Sequence, residues 1–215
     1  MVILHTIKGV FMTGFSLKTL ILSLPWIVLG LVFHEFCHAL VASRLGDPTP
    51  GQEGRLTLNP LVHIDLIGFL ALVFLRVGWA KPVRINPRYY KNPMKGMLQV
   101  SLAGPGGNFL LALFFAIIIR AMIYFNVSSW YISYMDLGLW YTIMLGFFNL
   151  IPIPPLDGAK VLRFFMRGQI AYYFDRFETY GVFVLLLLLL FNPFQEALFT
   201  IVNLSSSILA GHMIL

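Results

Sequence analysis

His34-Glu35-Phe36-Cys37-His38 is the stretch that decides how this chain is read, and it lies inside an apolar run from Leu17 to Leu45. On a helix, positions four apart point to nearly the same side, about 40° apart by the 3.6-residue period. His34 and His38 can therefore offer two imidazole nitrogens to one metal ion, with Glu35 beside them to take a proton from a water on that ion. The bland alternative is a set of polar side chains satisfied by neighbouring helices. Depth argues against it. An ionisable group near a bilayer centre costs roughly 2.5–3.5 kcal/mol on insertion scales, so three together call for a use.

Working outward, the composition places the chain in a membrane. Of 215 residues 59% are hydrophobic and 11% charged, with mean hydropathy +0.83; soluble domains run near 25% charged. The fold class expected is an all-α polytopic membrane protein of about five to six membrane helices, with a re-entrant or short β segment between the HExxH helix and the next span. One membrane-embedded domain, 1–215, suffices for this length. The formal charge of +6 does not point to nucleic acid. Its basic residues gather in short segments beside apolar runs, as expected for a positive-inside signal and for anionic headgroups of the lipid bilayer. Cys37 is the only cysteine, so no disulfide forms within the chain, and packing is its plain role. No cleavable signal peptide is evident; the first sixteen residues are expected along the membrane surface, and the first span as an uncleaved anchor.

The HExxH span covers about 17–45, with Pro25 as a kink or as the start of its deeper half. The breakers of Gly46-Asp47-Pro48-Thr49-Pro50-Gly51 end it. Segment 61–95 is too short in its apolar part to cross: Leu66 to Leu75 gives ten residues against about 20 needed. It reads as re-entrant or interfacial, with short strands open as a reading of Gly78 to Ile85. Further spans are expected at about 96–125, 137–157, 173–191 and 194–213, with Asn126 to Asp136 as a polar connection and Lys160 to Arg176 as a basic amphipathic segment. Ser101 to Asn108, rich in small residues, reads as a site of close helix packing. Pro152, Pro154 and Pro155 forbid a regular helix before Asp157, and irregular backbone at membrane depth is tolerated where it is buried or lines a cavity.

Topology supplies an independent test. Lys and Arg mark the cytoplasmic side. Segment 76–95 holds Arg76, Lys81, Arg84, Arg88, Lys91 and Lys95; segment 160–176 holds Lys160, Arg163, Arg167 and Arg176; segment 126–136 holds none. The first span then runs inward, with His38 about 9 Å before Arg44, and Asp157 arrives just before Lys160. Both come out at similar depth, nearer the cytoplasm. A catalytic zinc site takes three protein ligands and keeps one position open. Asp157 is the best third ligand, because its backbone is broken as a site needs; His63, with Asp65 behind it, is the rival. His5 and His212 sit near the termini and carry no expected role.

HExxH in a span, followed downstream by Asn149, Pro152 and Leu156-Asp157-Gly158, resembles the site-2 protease family of intramembrane zinc metalloproteases. Gly54-Arg55-Leu56-Thr57-Leu58-Asn59-Pro60, Gly78-Trp79-Ala80-Lys81-Pro82-Val83 and Ala103-Gly104-Pro105 with Asn108 resemble a compact prokaryotic branch without PDZ or CBS domains. The resemblance implies one Zn2+ per chain held by His34, His38 and Asp157, with Glu35 as catalytic base. It implies that Asn149 contacts substrate or oxyanion. It also implies a single-span membrane protein or peptide as substrate and residence in a prokaryotic cell membrane. Two further classes stay open: a membrane zinc-binding protein that transports metal or holds clients without cutting, and a hydrolase of non-peptide bonds. Ligands clustered at one depth disfavour transport, and the presence of Glu35 disfavours a non-cutting relative.

Overall fold

The computed structural model describes residues 17–75 and 78–211. Arg76, His5, His212 and the expected surface placement of the first sixteen residues lie outside the described residues. Helix α1 (Leu17–Arg44) continues through Pro25 and ends at Gly46, whose φ of 102° only glycine adopts readily. Its 28 residues reach about 42 Å, more than the roughly 30 Å of a hydrocarbon layer.

Three short helices follow: α2 (Thr49–Gln52), α3 (Pro60–His63) and α4 (Leu66–Leu75). The buried Asp47 carboxylate accepts the Thr49 N–H at 2.9 Å and the Asn86 N–H at 2.6 Å, tying both ends of this excursion together. Asp65 caps α4 by accepting the Gly68 N–H at 2.8 Å. At ten residues, α4 is about 15 Å long. Beyond it the chain returns to its starting point. Ile64 and Ala80 form an isolated antiparallel bridge, and the Lys81 N–H donates to the His63 carbonyl at 2.7 Å. Among the described residues this bridge replaces the short strands expected in Gly78 to Ile85, because Pro82 has no N–H to extend the ladder.

Helix α5 (Pro93–Tyr124) starts where its sequence dictates. Asn92 accepts the Lys95 N–H at 3.1 Å and Pro93 takes a first-turn position. Helix α6 (Ser129–Asn149) begins eight residues before the expected span at 137. The stretch read as a polar connection holds no breaker after Ser128, and its aromatics pack on one another, Trp130 stacking on Tyr134 at 5.7 Å. The rest is α7 (Asp157–Phe165), α8 (Gly168–Phe177), a 3-10 turn at Glu178–Tyr180, α9 (Gly181–Leu190) and α10 (Asn192–Ala210).

Among the described residues two helices are long and apolar enough to cross a membrane, Lys18–Arg44 and Pro93–Tyr124; a third exists if Gly168–Leu190 and Asn192–Ala210, bent by 81°, form one broken span. Helix α6 falls outside this set for a physical reason. It packs against α1, α5 and α10, so Trp140, Tyr141 and Thr142 in its middle are buried and meet protein instead of lipid, whereas Trp130 and Tyr131 at its start are exposed. Leu139, Trp140 and Ile143 of α6 bury against Phe115 and Ile119 of α5 and Val202 of α10. Trp140 donates its indole N–H to Asn203 at 2.7 Å, as a buried indole must. Arg120 donates to the carbonyls of Leu209 and Ile208 at 2.9 and 3.1 Å, satisfying the last turn of α10.

Candidate metal centre

Helix α1 presents His34 and His38 one turn apart, 4% and 6% exposed, with their rings edge to face at 4.6 Å. The third member arrives from the far side of the bundle. After α6 the chain passes Leu150 to Leu156 without helix, including a cis Pro154–Pro155 peptide, and Asp157 opens α7. Gly158 makes this return feasible, because a side chain there would run into the carbonyls of Leu150 and Ile151. Asp157 is 6% exposed.

His34 Nε2, His38 Nε2 and Asp157 Oδ2 form a triangle. The edges are 3.0 Å between the two nitrogens, 3.1 Å from His34 to Asp157 and 2.9 Å from His38 to Asp157. Neutral imidazoles do not account for all three edges by hydrogen bonding alone. His38 Nδ1 lies 2.7 Å from the Val100 carbonyl; a carbonyl only accepts, so Nδ1 carries a proton, and in the neutral ring Nε2 turns a lone pair inward. That lone pair faces a carboxylate oxygen. A cation resolves the conflict. Tetrahedral zinc with nitrogen and oxygen ligands near 2.0–2.1 Å sets its ligand atoms about 3.3 Å apart, close to the edges seen. Among the described residues this is the group that could hold a metal ion. The other carboxylate oxygen of Asp157 meets Lys160 Nζ at 3.4 Å.

Glu35, half-buried, points elsewhere on α1, and its Oε2 accepts the Val83 N–H at 2.9 Å. His63 is not brought to the triangle. It is 1% exposed, with Nε2 donating to the Thr57 carbonyl at 2.9 Å. Its neighbour Arg55 holds the Val62 carbonyl at 2.5 Å. His63 and Asp65 thus belong to the loop around α3 and α4. Asn149 turns back on its own helix, donating to the Leu145 carbonyl at 2.9 Å, and among the described residues it makes no hydrogen bond to His34, Glu35, His38 or Asp157.

Three parts of the centre, all on α5, were not placed at it from the sequence: the Val100 carbonyl, and Gly104 and Asn108, which were read as helix packing and as part of the resemblance. A Cβ at Gly104 would lie 2.6 Å from His34 Nε2 and nearer still to His38 Nε2. Asn108, fully buried, places its amide nitrogen 3.3 Å from His34 Nδ1. The small-residue cluster does serve close packing, as expected, but what it packs against is the two imidazoles. Residues 100, 104 and 108 recur at helical spacing, which was the available signal.

Comparison with known proteins fits this centre. A Bacillus subtilis protein named "Putative zinc metalloprotease YwhC" is 33% identical over 175 residues, covering 77% of this chain and 80% of the relative. A Methanocaldococcus jannaschii protein, "Putative zinc metalloprotease MJ0611", is 32% identical over 152 residues, covering 70% and 73%. Residues 123–191 match Peptidase family M50. The chain belongs to Peptidase family M50. This M50 peptidase is a zinc metalloprotease of the site-2 protease type, from a membrane-embedded family. From the same archaeon, "Zinc metalloprotease MJ0392" is 31% identical over 156 residues, covering 70% of this chain and 38% of the relative. No solved structure matches.

Proposed function

We propose that this M50 peptidase hydrolyses peptide bonds within or near transmembrane segments of membrane-protein substrates. His34, His38 and Asp157 hold one zinc ion and Glu35 is the general base. The observation that carries this reading is the triangle of buried atoms with 2.9–3.1 Å edges, one face of which belongs to an HExxH helix. Zinc bound there supplies Lewis acidity, acidifying a water to a pKa of about 7 and polarising the scissile carbonyl.

The chain's own residues do the rest. Glu35 takes the proton from the attacking water and delivers it to the leaving amine. The Val83 N–H occupies Oε2, which orients the carboxylate and leaves its second oxygen to carry the proton. The Val100 carbonyl keeps the proton of His38 on Nδ1. Lys160 steadies the Asp157 oxygen that points away from the triangle. Asn149 contacts substrate or oxyanion once its amide leaves the Leu145 carbonyl.

In the membrane, the reading is a multi-pass single domain, 1–215, with α6 as an interior span and α4 as a re-entrant segment whose exposed Leu66, Ile67 and Phe74 face lipid. The centre lies nearer the cytoplasm, as the basic segments either side of it support. The test is Glu35→Gln in the full chain. Zinc content should stay at one per chain, while cleavage of a single-span substrate falls about 10²–10⁴-fold. Wild-type cleavage by that variant would refute the assignment.

A further inference from the structure

Helix α5 lies along the metal centre in a stripe with a four-residue period. The Val100 carbonyl meets His38 Nδ1, Gly104 abuts both Nε2 atoms, and Asn108 meets His34 Nδ1. The first contact fixes which nitrogen of His38 is protonated. The last stands in the same relation to His34, and no activity assigned so far uses it. Asn108 is fully buried, and its Oδ1 has no hydrogen-bond partner.

As drawn, the amide nitrogen faces His34 Nδ1 at 3.3 Å. An amide N–H donating there would force the His34 proton onto Nε2, the atom that points at His38 and Asp157. A metal requires that nitrogen bare. The oxygen and nitrogen ends of an Asn amide are interchangeable in position, and the hydrogen-bond network decides between them. Turned end for end, the amide places Oδ1 against Nδ1–H, and Nε2 presents its lone pair to the triangle.

We propose that Asn108 is a positioning residue of the centre: its side-chain oxygen accepts the His34 Nδ1 proton and so selects the tautomer and ring orientation that bind the metal. Partners of this kind at a ligand histidine raise metal affinity by about 10–100-fold. The inference rests on His34 being a ligand, as proposed above, and goes beyond it by giving α5 a role in holding zinc.

The experiment measures zinc affinity by chelator competition on the full chain in nanodiscs, for wild type, His34→Ala, Asn108→Leu and Asn108→Asp. It adds imidazole 15N and Nδ1 proton spectra of the zinc-loaded wild type and of both Asn108 variants. Asn108→Leu keeps the side-chain size and removes the acceptor, so affinity should fall about 10–100-fold. Asn108→Asp keeps the acceptor and should bind zinc at least as tightly as wild type. The His34 Nδ1 proton should resonate downfield in wild type and in Asn108→Asp, and move upfield in Asn108→Leu. Equal affinity for Leu and wild type would overturn the inference, as would an equal loss in Leu and Asp. A zinc-loaded wild type with no proton on His34 Nδ1 would overturn it however the variants fold. If wild type and His34→Ala bind zinc alike, the ligand assignment itself fails; if they differ while Asn108→Leu matches wild type, only the role of Asn108 fails.

Discussion

Gly104→Ala adds one methyl group where α5 meets the two imidazoles. The new Cβ would stand 2.6 Å from His34 Nε2, whereas ordinary contact begins at 3.4 Å. The His34 imidazole or the helix must therefore give by at least 3.4 − 2.6 = 0.8 Å, and the His38 imidazole, nearer still, by more. A packed helix interface absorbs such overpacking at roughly 1–3 kcal/mol, and alanine returns up to about 1 kcal/mol over glycine in helix propensity. The net loss of about 0–2 kcal/mol leaves a protein of ordinary stability folded. The metal site is far less forgiving, because its distances tolerate about 0.2 Å and a misplacement near 1 Å costs about 10²-fold in rate. The expected outcome is a folded chain that loses zinc and cleaves at least about 10²-fold more slowly. Gly106→Ala is the control, since a Cβ there meets nothing within 4 Å. The assay is zinc content by mass spectrometry on purified protein, cleavage of a labelled single-span substrate, and thermal unfolding of both variants. Gly104→Ala retaining one zinc per chain and wild-type cleavage would refute the placement of the centre against α5.

Asp157→Ala should lose zinc on purification while His63→Ala retains it, read by metal analysis; the reverse pattern would make His63 the third ligand. Val83→Pro removes the N–H on Glu35 without touching a ligand, so kcat should fall about 10-fold, an orientation effect within the general-base contribution, with zinc content unchanged. Unaltered kcat would leave that hydrogen bond without a role.

The apolar periodicity and HExxH made α1 and the side that carries both imidazoles legible, because spacing along one helix fixes direction. Asp157 was legible for a different reason: prolines break the backbone before it, and charge bias placed it at the depth of His38. The α5 stripe was not, since it is a contact across 62 to 74 residues. One member is a backbone carbonyl, which no residue type announces, and another is a glycine whose part is to be small. Asn108 was visible, but a lone Asn in a span has many uses. The start of α6 was misplaced because the exposed aromatics Trp130 and Tyr131 were taken to mark a connection, whereas the stretch after Ser128 holds no helix breaker and simply continues the helix. The strands expected after α4 shrank to one bridge because Pro82 interrupts donors.

His38 and Asp157 are 119 residues apart, and every helix that shapes the centre lies between or just beyond them. A growing chain emerging from the ribosome therefore carries two imidazoles into the bilayer long before their carboxylate exists. Until α7 is made and docked, the triangle of His34, His38 and Asp157 cannot close. The centre is thus a property of the finished fold, and neither segment alone carries it.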